Sequence, residues 1–283
     1  MGAPCVWRLR SAFTAALLAL LAGCANQVVP PIEGIVWQPD SAHVAPRGDW
    51  QQLGVQRLLV QWTAVDDVAF VAGSAVPTVP SLPDWERIGR EPWAREVILG
   101  LAGRFDEARA RAGLADLARQ SEALARARPP LNVAGWYFPV EIDPTWAEAR
   151  QLAPLLQRLP RPLWISVYDS ANVGPNELAK SLAAWLPKDV GVFFQDGVGV
   201  HAREAYVARH YANVLARELG RDRVRIIAEA FRPQAGGGFR PATAEELKPQ
   251  LAAYTGYPIY LFDGPHYVNA QLVRELKAAQ APR

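Results

Sequence analysis

Short apolar runs recur eight times along the chain, at residues 34–39, 57–62, 96–103, 133–143, 163–168, 190–196, 224–228 and 258–262. Their length and apolar character predict strands buried on both faces. Segments with helical spacing lie between them, at residues 106–128, 145–159, 176–186, 202–219 and 243–254. Asp106 and Thr243 stand where N-caps stand, and Glu246 completes a capping box with Thr243. A short helix should end at Gly54, Pro129-Pro130 and Gly220 stop longer ones, and Pro154 can kink the segment around it. Strands alternating with crossover helices predict parallel pairing. Eight such units in one domain predict an α/β fold of the closed (β/α)8 TIM-barrel type rather than an open doubly wound sheet. Residues 63–94 break the rhythm. They hold Pro77, Pro80, Pro83 and Pro92 with no sustained period, and read as a long loop forming a lid or cleft wall.

Barrels of this type build their active sites at the C-terminal ends of the strands. The residues falling there are Trp37 and Gln38, Gln61 and Trp62, Tyr137, Glu141 and Asp143, Tyr168 and Asp169, Gln195 and Asp196, Glu229 and Phe231, and Asp263. Aromatic faces suit the C–H surfaces of sugars, while amides and carboxylates suit their hydroxyls, so the set points to a carbohydrate. Glu141 and Glu229 each close a strand of their own. Two such carboxyl groups are what hydrolysis of a glycosidic bond requires. Apolar surroundings should raise the pKa of Glu141, the acid, and leave Glu229, the nucleophile, ionised. Plainer readings stay open. Glu141 could pair with an arginine such as Arg232, Asp196-Gly197 and Asp263-Gly264 could be turns, and Trp37, Trp62 and Tyr168 could pack in the core.

Composition narrows the field. The chain has 283 residues and a formal net charge of +2, which gives no support for nucleic acid as a partner. The arginines of residues 104–128 alternate with Asp and Glu and read as a solvated helix face. No nucleotide-binding glycine motif follows a strand, and no Gly-x-Ser-x-Gly elbow occurs. His43, His201, His210 and His266 form no close ligand pair in sequence, so no metal site is predicted. Hydrolysis by two carboxyls needs no cofactor.

The first segment stands apart. Arg8 and Arg10 precede an apolar stretch too short to span a bilayer, and Leu21-Ala-Gly-Cys24 follows. This arrangement resembles the lipobox of bacterial lipoproteins. The resemblance implies cleavage before Cys24, lipid on its sulfur, and a partner membrane. Ala25 fits sorting to the outer membrane, facing the periplasm. The chain then divides into a signal at 1–23, a tether at 24–31 and a barrel at 32–283. Cys5 is the other cysteine, so the barrel has none.

Gly34-Ile-Val-Trp-Gln-Pro39, Gly135-Trp-Tyr-Phe-Pro-Val-Glu-Ile-Asp143, Phe193-Phe-Gln-Asp-Gly-Val-Gly199 and Ala228-Glu-Ala-Phe231 together resemble a bacterial family of unknown function grouped with TIM-barrel glycoside hydrolases. The placement of the two glutamates is also similar to that in retaining glycosidases with an acid/base Glu after strand four and a nucleophile Glu after strand seven. Those roles map onto Glu141 and Glu229. Val140 stands where that group has Asn, so a sugar 2-hydroxyl contact would fall to Gln195 or Gln61. The resemblance implies a retaining hydrolase of a cell-envelope or extracellular polysaccharide. The alternative, favoured by Val140, is a polysaccharide-binding lipoprotein without turnover. Cys24→Ala is expected to leave the protein uncleaved or to release it from normal lipoprotein processing. Unmodified soluble mature wild-type protein, detected by mass spectrometry, would contradict the anchor.

Overall fold

The computed structural model describes residues 28–127 and 129–280. The predicted signal, Cys24 with the first half of the tether, and Arg128 lie outside the described residues. Eight parallel strands close into a barrel. In chain order its strands are β1 (Gly34–Trp37), β2 (Arg57–Val60), β5 (Glu96–Gly100), β7 (Val133–Ile142), β8 (Leu163–Val167), β9 (Val190–Gln195), β10 (Val224–Glu229) and β13 (Ile259–Phe262), while β11 (Phe231–Pro233) and β12 (Phe239–Pro241) pair outside the ring. Each pairs with its neighbour, and β13 closes the ring on β1 through Gly34↔Tyr260 and Ile35↔Leu261. All eight predicted strands are present, and the predicted TIM barrel is the fold.

The barrel is filled by one side chain from every strand: Val36, Leu59, Ile98, Tyr137, Trp164, Phe193, Ile227 and Tyr260. Half of these are aromatic. Phe193 stands edge-on to Tyr137 and Tyr260, with ring centroids 5.8 and 4.9 Å away. Fully burying such side chains stabilises the fold by about 1.5–3 kcal/mol each. The bulk requires gaps opposite it. A Cβ on Gly191 would lie 2.1 Å from the Trp164 ring, and one on Gly34 would lie 2.1 Å from Tyr260. Neighbouring positions on each strand face outward, toward the helices. Ile35, Leu58, Val97, Phe138, Ile165, Val192, Ile226 and Ile259 belong to that larger outer core.

The helices are α1 (Trp85–Gly89), α2 (Glu107–Ala112), α3 (Leu114–Leu124), α4 (Leu152–Leu156), α5 (Pro175–Ala183), α6 (Ala205–Leu219), α7 (Ala244–Ala253), α8 (Gly264–Tyr267) and α9 (Ala270–Ala278). The Thr243/Glu246 capping box is formed, and Asp106 caps α2 by accepting from the Arg109 N–H at 2.7 Å. Gly54 ends a short 3-10 turn at φ 100°, in the left-handed region. Two expectations need correction. The helix predicted at 106–128 breaks at Gly113 into α2 and α3. Residues 63–94 are neither a lid nor a cleft wall. They form a hairpin of β3 (Ala64–Val65) and β4 (Val68–Ala69), joined by β6 (Ala102–Gly103), and then α1. Phe70, Val79, Trp85 and Trp93 are buried, which holds the segment against the barrel wall. Its elements are too short to leave a period in the sequence.

Gly191→Ala is expected to destabilise the protein by about 1–3 kcal/mol, because the added methyl must displace the Trp164 ring inside a packed barrel. Chemical denaturation would check this; an unchanged midpoint would mean that the ring has room to move.

Candidate active site

A cleft of about 260 Å³ opens at the C-terminal end of the barrel, slightly below the usual range of roughly 300–1,000 Å³ for ligand pockets. Ile227 and Phe262 form part of its lining, and Gln38, Gln61, Ser166 and Gln195 add polar atoms. Glu141 lies on one wall. It owes its place to a bulge in β7. Phe138 pairs with Ile165, yet Glu141 pairs with the next residue, Ser166, so β7 carries two extra residues there. Bulges of this kind re-aim side chains beside functional sites. Pro139 and Glu141 both reach the cleft as a result.

Gln195 Nε2 donates to Glu141 Oε1 and, at 2.6 Å, to Ser166 Oγ. The Glu141 carboxyl is pushed well up from its ordinary value. Burial is the main cause, followed by the adjoining Glu107 carboxyl and the charge of Glu229, with Arg111 opposing. Glu107 and Arg111 come from α2 and form an ion pair at 2.6 Å on the cleft wall. Their predicted place on a solvated helix face is therefore corrected. In the sequence they look like any helical i, i+4 pair, and nothing in their spacing marks the cleft.

Glu229 ends β10 and is 5% exposed. Its Oε2 accepts from the Val200 N–H at 3.1 Å. Gly199 lies so close that a Cβ there would be 2.5 Å from Glu229 Cβ. Burial raises the Glu229 carboxyl to about 8. Asp196 adds to the rise, while backbone N–H groups of Val200 and Gly199 oppose it. The expectation of an ionised Glu229 is thus corrected: the loop after β9 excludes water from it and sets Asp196 beside it. Asp196 itself is buried. It accepts from the N–H groups of Val198 and Glu229 at 3.1 and 3.2 Å, from Gln250 Nε2 at 2.6 Å and from Tyr254 OH at 2.8 Å. These bonds tie α7 to the loops after β9 and β10, so Asp196 supports the site from behind.

The other predicted residues divide. Gln38, Gln61, Trp62 and Gln195 line the cleft. Trp62 Nε1 donates to Pro39 O at 2.9 Å, and its ring stands edge-on to Phe105 at 4.8 Å. Tyr168 is half-buried, with the Arg203 guanidinium 5.3 Å from its ring centroid. Burial and the charge of Glu229 raise its pKa. Trp37 is away from the cleft. Val36 faces inward, so Trp37 faces outward and packs on Trp85 at 5.6 Å. Tyr137 is sealed in the barrel interior. Phe231 packs among Phe239, Phe262 and Tyr267. Asp263 is buried, caps α8, and accepts from the Gln38 N–H at 2.8 Å. Asp143 and Asp169 hold loops, through Thr145 and Ser170 in one case and Val173, Gly174 and Tyr211 in the other.

A larger hollow, about 680 Å³, lies at the opposite end of the barrel. Its Arg57 is already engaged by Glu33 and, at 2.6 Å, by Glu96. Paired charges at the N-terminal end of such a barrel serve stability rather than chemistry.

No family model matches the chain, and no curated protein does. Solved structures that share its fold include two from bacteria. One is a candidate alpha-L-fucosidase from Bacteroides thetaiotaomicron, with a TM-score of 0.64 and 15% identity, covering 88% of this chain and 92% of that one. The other is the glycoside hydrolase domain of PgaB (BpsB) from Bordetella bronchiseptica, with a TM-score of 0.56 and 13% identity, covering 89% of this chain and 100% of that one. At these identities the likeness is one of fold.

The buried carboxyl has a consequence for stability. Between about pH 4.5 and 8 the unfolded chain releases a proton from Glu229 that the folded protein retains, so stability falls as pH rises through that window. Glu229→Gln removes the penalty. The variant is expected to match wild type near pH 4 and to exceed it at pH 8, by on the order of a few kcal/mol. Urea denaturation at the two pH values checks this; an equal difference at both would show that Glu229 ionises normally.

Proposed function

We propose that this protein is a retaining glycoside hydrolase acting on a cell-envelope or extracellular polysaccharide. The observation that carries the reading is the arrangement at one barrel mouth. Glu141 and Glu229 end different strands, and the charge of Glu229 is felt at Glu141. The two fold neighbours, a candidate alpha-L-fucosidase and a glycoside hydrolase domain, agree with this substrate class.

The two carboxyls fall into an order that fits their roles. Glu229 receives two backbone N–H groups that favour its charged form, which suits it to serve as nucleophile. Glu141, raised by burial and then by Glu107, keeps its proton and serves as acid. Glu229 attacks the anomeric carbon as the glycosidic C–O bond breaks, and Glu141 passes its proton to the leaving oxygen. Water then attacks the same carbon, gives a proton to Glu141 and frees Glu229. Gln195 holds the Glu141 carboxyl in place, while Gln38, Gln61 and Trp62 are positioned for sugar hydroxyls and a ring face. Trp37, Tyr137 and Asp263 are left out of the sugar-contacting set. The protein is further proposed to reach its substrate as a lipoprotein held at the outer membrane through Cys24.

Purified protein incubated with bacterial exopolysaccharides and cell-wall glycans is expected to release new reducing ends. Glu229→Gln should abolish release, and Glu141→Gln should slow it by about 10²–10⁴-fold. In wild type kcat/KM should rise as pH approaches 8, where Glu229 ionises, and fall again when Glu141 loses its proton. Binding without turnover across the panel would replace hydrolysis by glycan binding.

A further inference from the structure

Two histidines 223 positions apart meet on the rim of the barrel, with Asp40 between them. Asp40 and His43 lie on the loop after β1, and His266 lies in α8 after β13. We propose that Asp40, His43 and His266 form a Zn²⁺ site that bolts the first strand of the barrel to the last.

Three features of the geometry support it. The ligand atoms converge at one point. Asp40 Oδ2 is 2.9 Å from His43 Nδ1, His43 Nδ1 is 3.2 Å from His266 Nε2, and His266 Nε2 is 3.5 Å from Asp40 Oδ2. Tetrahedral zinc with bonds of about 2.0–2.2 Å sets its ligand atoms roughly 3.3–3.6 Å apart, so small shifts seat the ion. Next, two of the ligands are already oriented by their other ends. The N–H groups of Ala42 and His43 bind Asp40 Oδ1 at 2.7 and 2.8 Å, leaving Oδ2 turned to the cluster. Asp263, itself 1% exposed, lies 3.1 Å from His266 Nδ1. With the Nδ1 proton on that carboxylate, Nε2 presents a lone pair to the cluster, as in the carboxylate–histidine–zinc arrangement. The third feature is access. The side chains of His43, Asp40 and His266 are 50, 34 and 28% exposed, so an ion can enter from solvent.

Two imidazoles and one carboxylate suit zinc and discriminate against Mg²⁺ and Ca²⁺, which take oxygen. The fourth position faces water. The ligands stand behind the catalytic cleft rather than in its lining, but the site adjoins it through Asp263, which holds the Gln38 N–H. The ion would therefore rigidify Gln38 and the closing strand pair without entering the reaction. The sequence gives no sign of this site because its histidines become neighbours only when the barrel closes.

Isothermal titration of the tag-free chain with Zn²⁺ alone is expected to show one ion per chain and a raised thermal midpoint, with no response to Mg²⁺. His43→Ala and His266→Ala should each weaken binding at least tenfold, and Asp263→Asn by about 10–100-fold. His201→Ala and His210→Ala, on exposed residues elsewhere, should leave it unchanged. His43 is half exposed, so its variant tests the site without threatening the fold. Substoichiometric binding, or unchanged affinity in the His43→Ala and His266→Ala variants, would overturn the site.

Discussion

Keeping water away from carboxyl groups is the constraint on which this barrel's mouth depends. Below the cleft, Tyr137, Trp164, Phe193 and Tyr260 fill the interior, so no water column reaches the carboxyls from beneath. Above Glu229, Gly199 and Val200 close in, and only a residue without a side chain fits at Gly199. Burial then disfavours every negative charge placed there. The protein answers differently at each group. Asp196 receives four donors and stays as scaffold. Glu229 receives backbone N–H groups and is poised near neutrality. Glu141 meets a second carboxyl, Glu107, which adds to burial in holding it toward its neutral form. The resulting instability is the kind that folded proteins retain where chemistry requires it.

Much of this could be read from the sequence, for a simple reason. Strands buried on both faces write themselves as apolar runs, and eight of them with helices between leave few topologies open. Glu141 and Glu229 were visible because a charged residue at the end of such a run has to point into the mouth or away from it. What could not be read depends on facing and on distance in the chain. Trp37 and Gln38 are adjacent, and only the inward turn of Val36 decides that Gln38 lines the cleft while Trp37 packs on Trp85. Tyr137 is one turn of the pleat too deep to touch a ligand. The two-residue bulge that aims Glu141 leaves no mark beyond Pro139. Glu107, Arg111 and Ser166 join the site from elements whose local pattern is ordinary, and Asp263 proved to be a buried cap.

The central claim is that Glu229 attacks a sugar while Glu141 gives up a proton, and it can be tested at the bond it requires. Protein quenched in acid during turnover of a glycan should carry one glycosyl unit on the peptide containing Glu229, as read by mass spectrometry, with the product anomer retained. A product of inverted configuration, with Glu229 unmodified throughout turnover, would contradict the assignment.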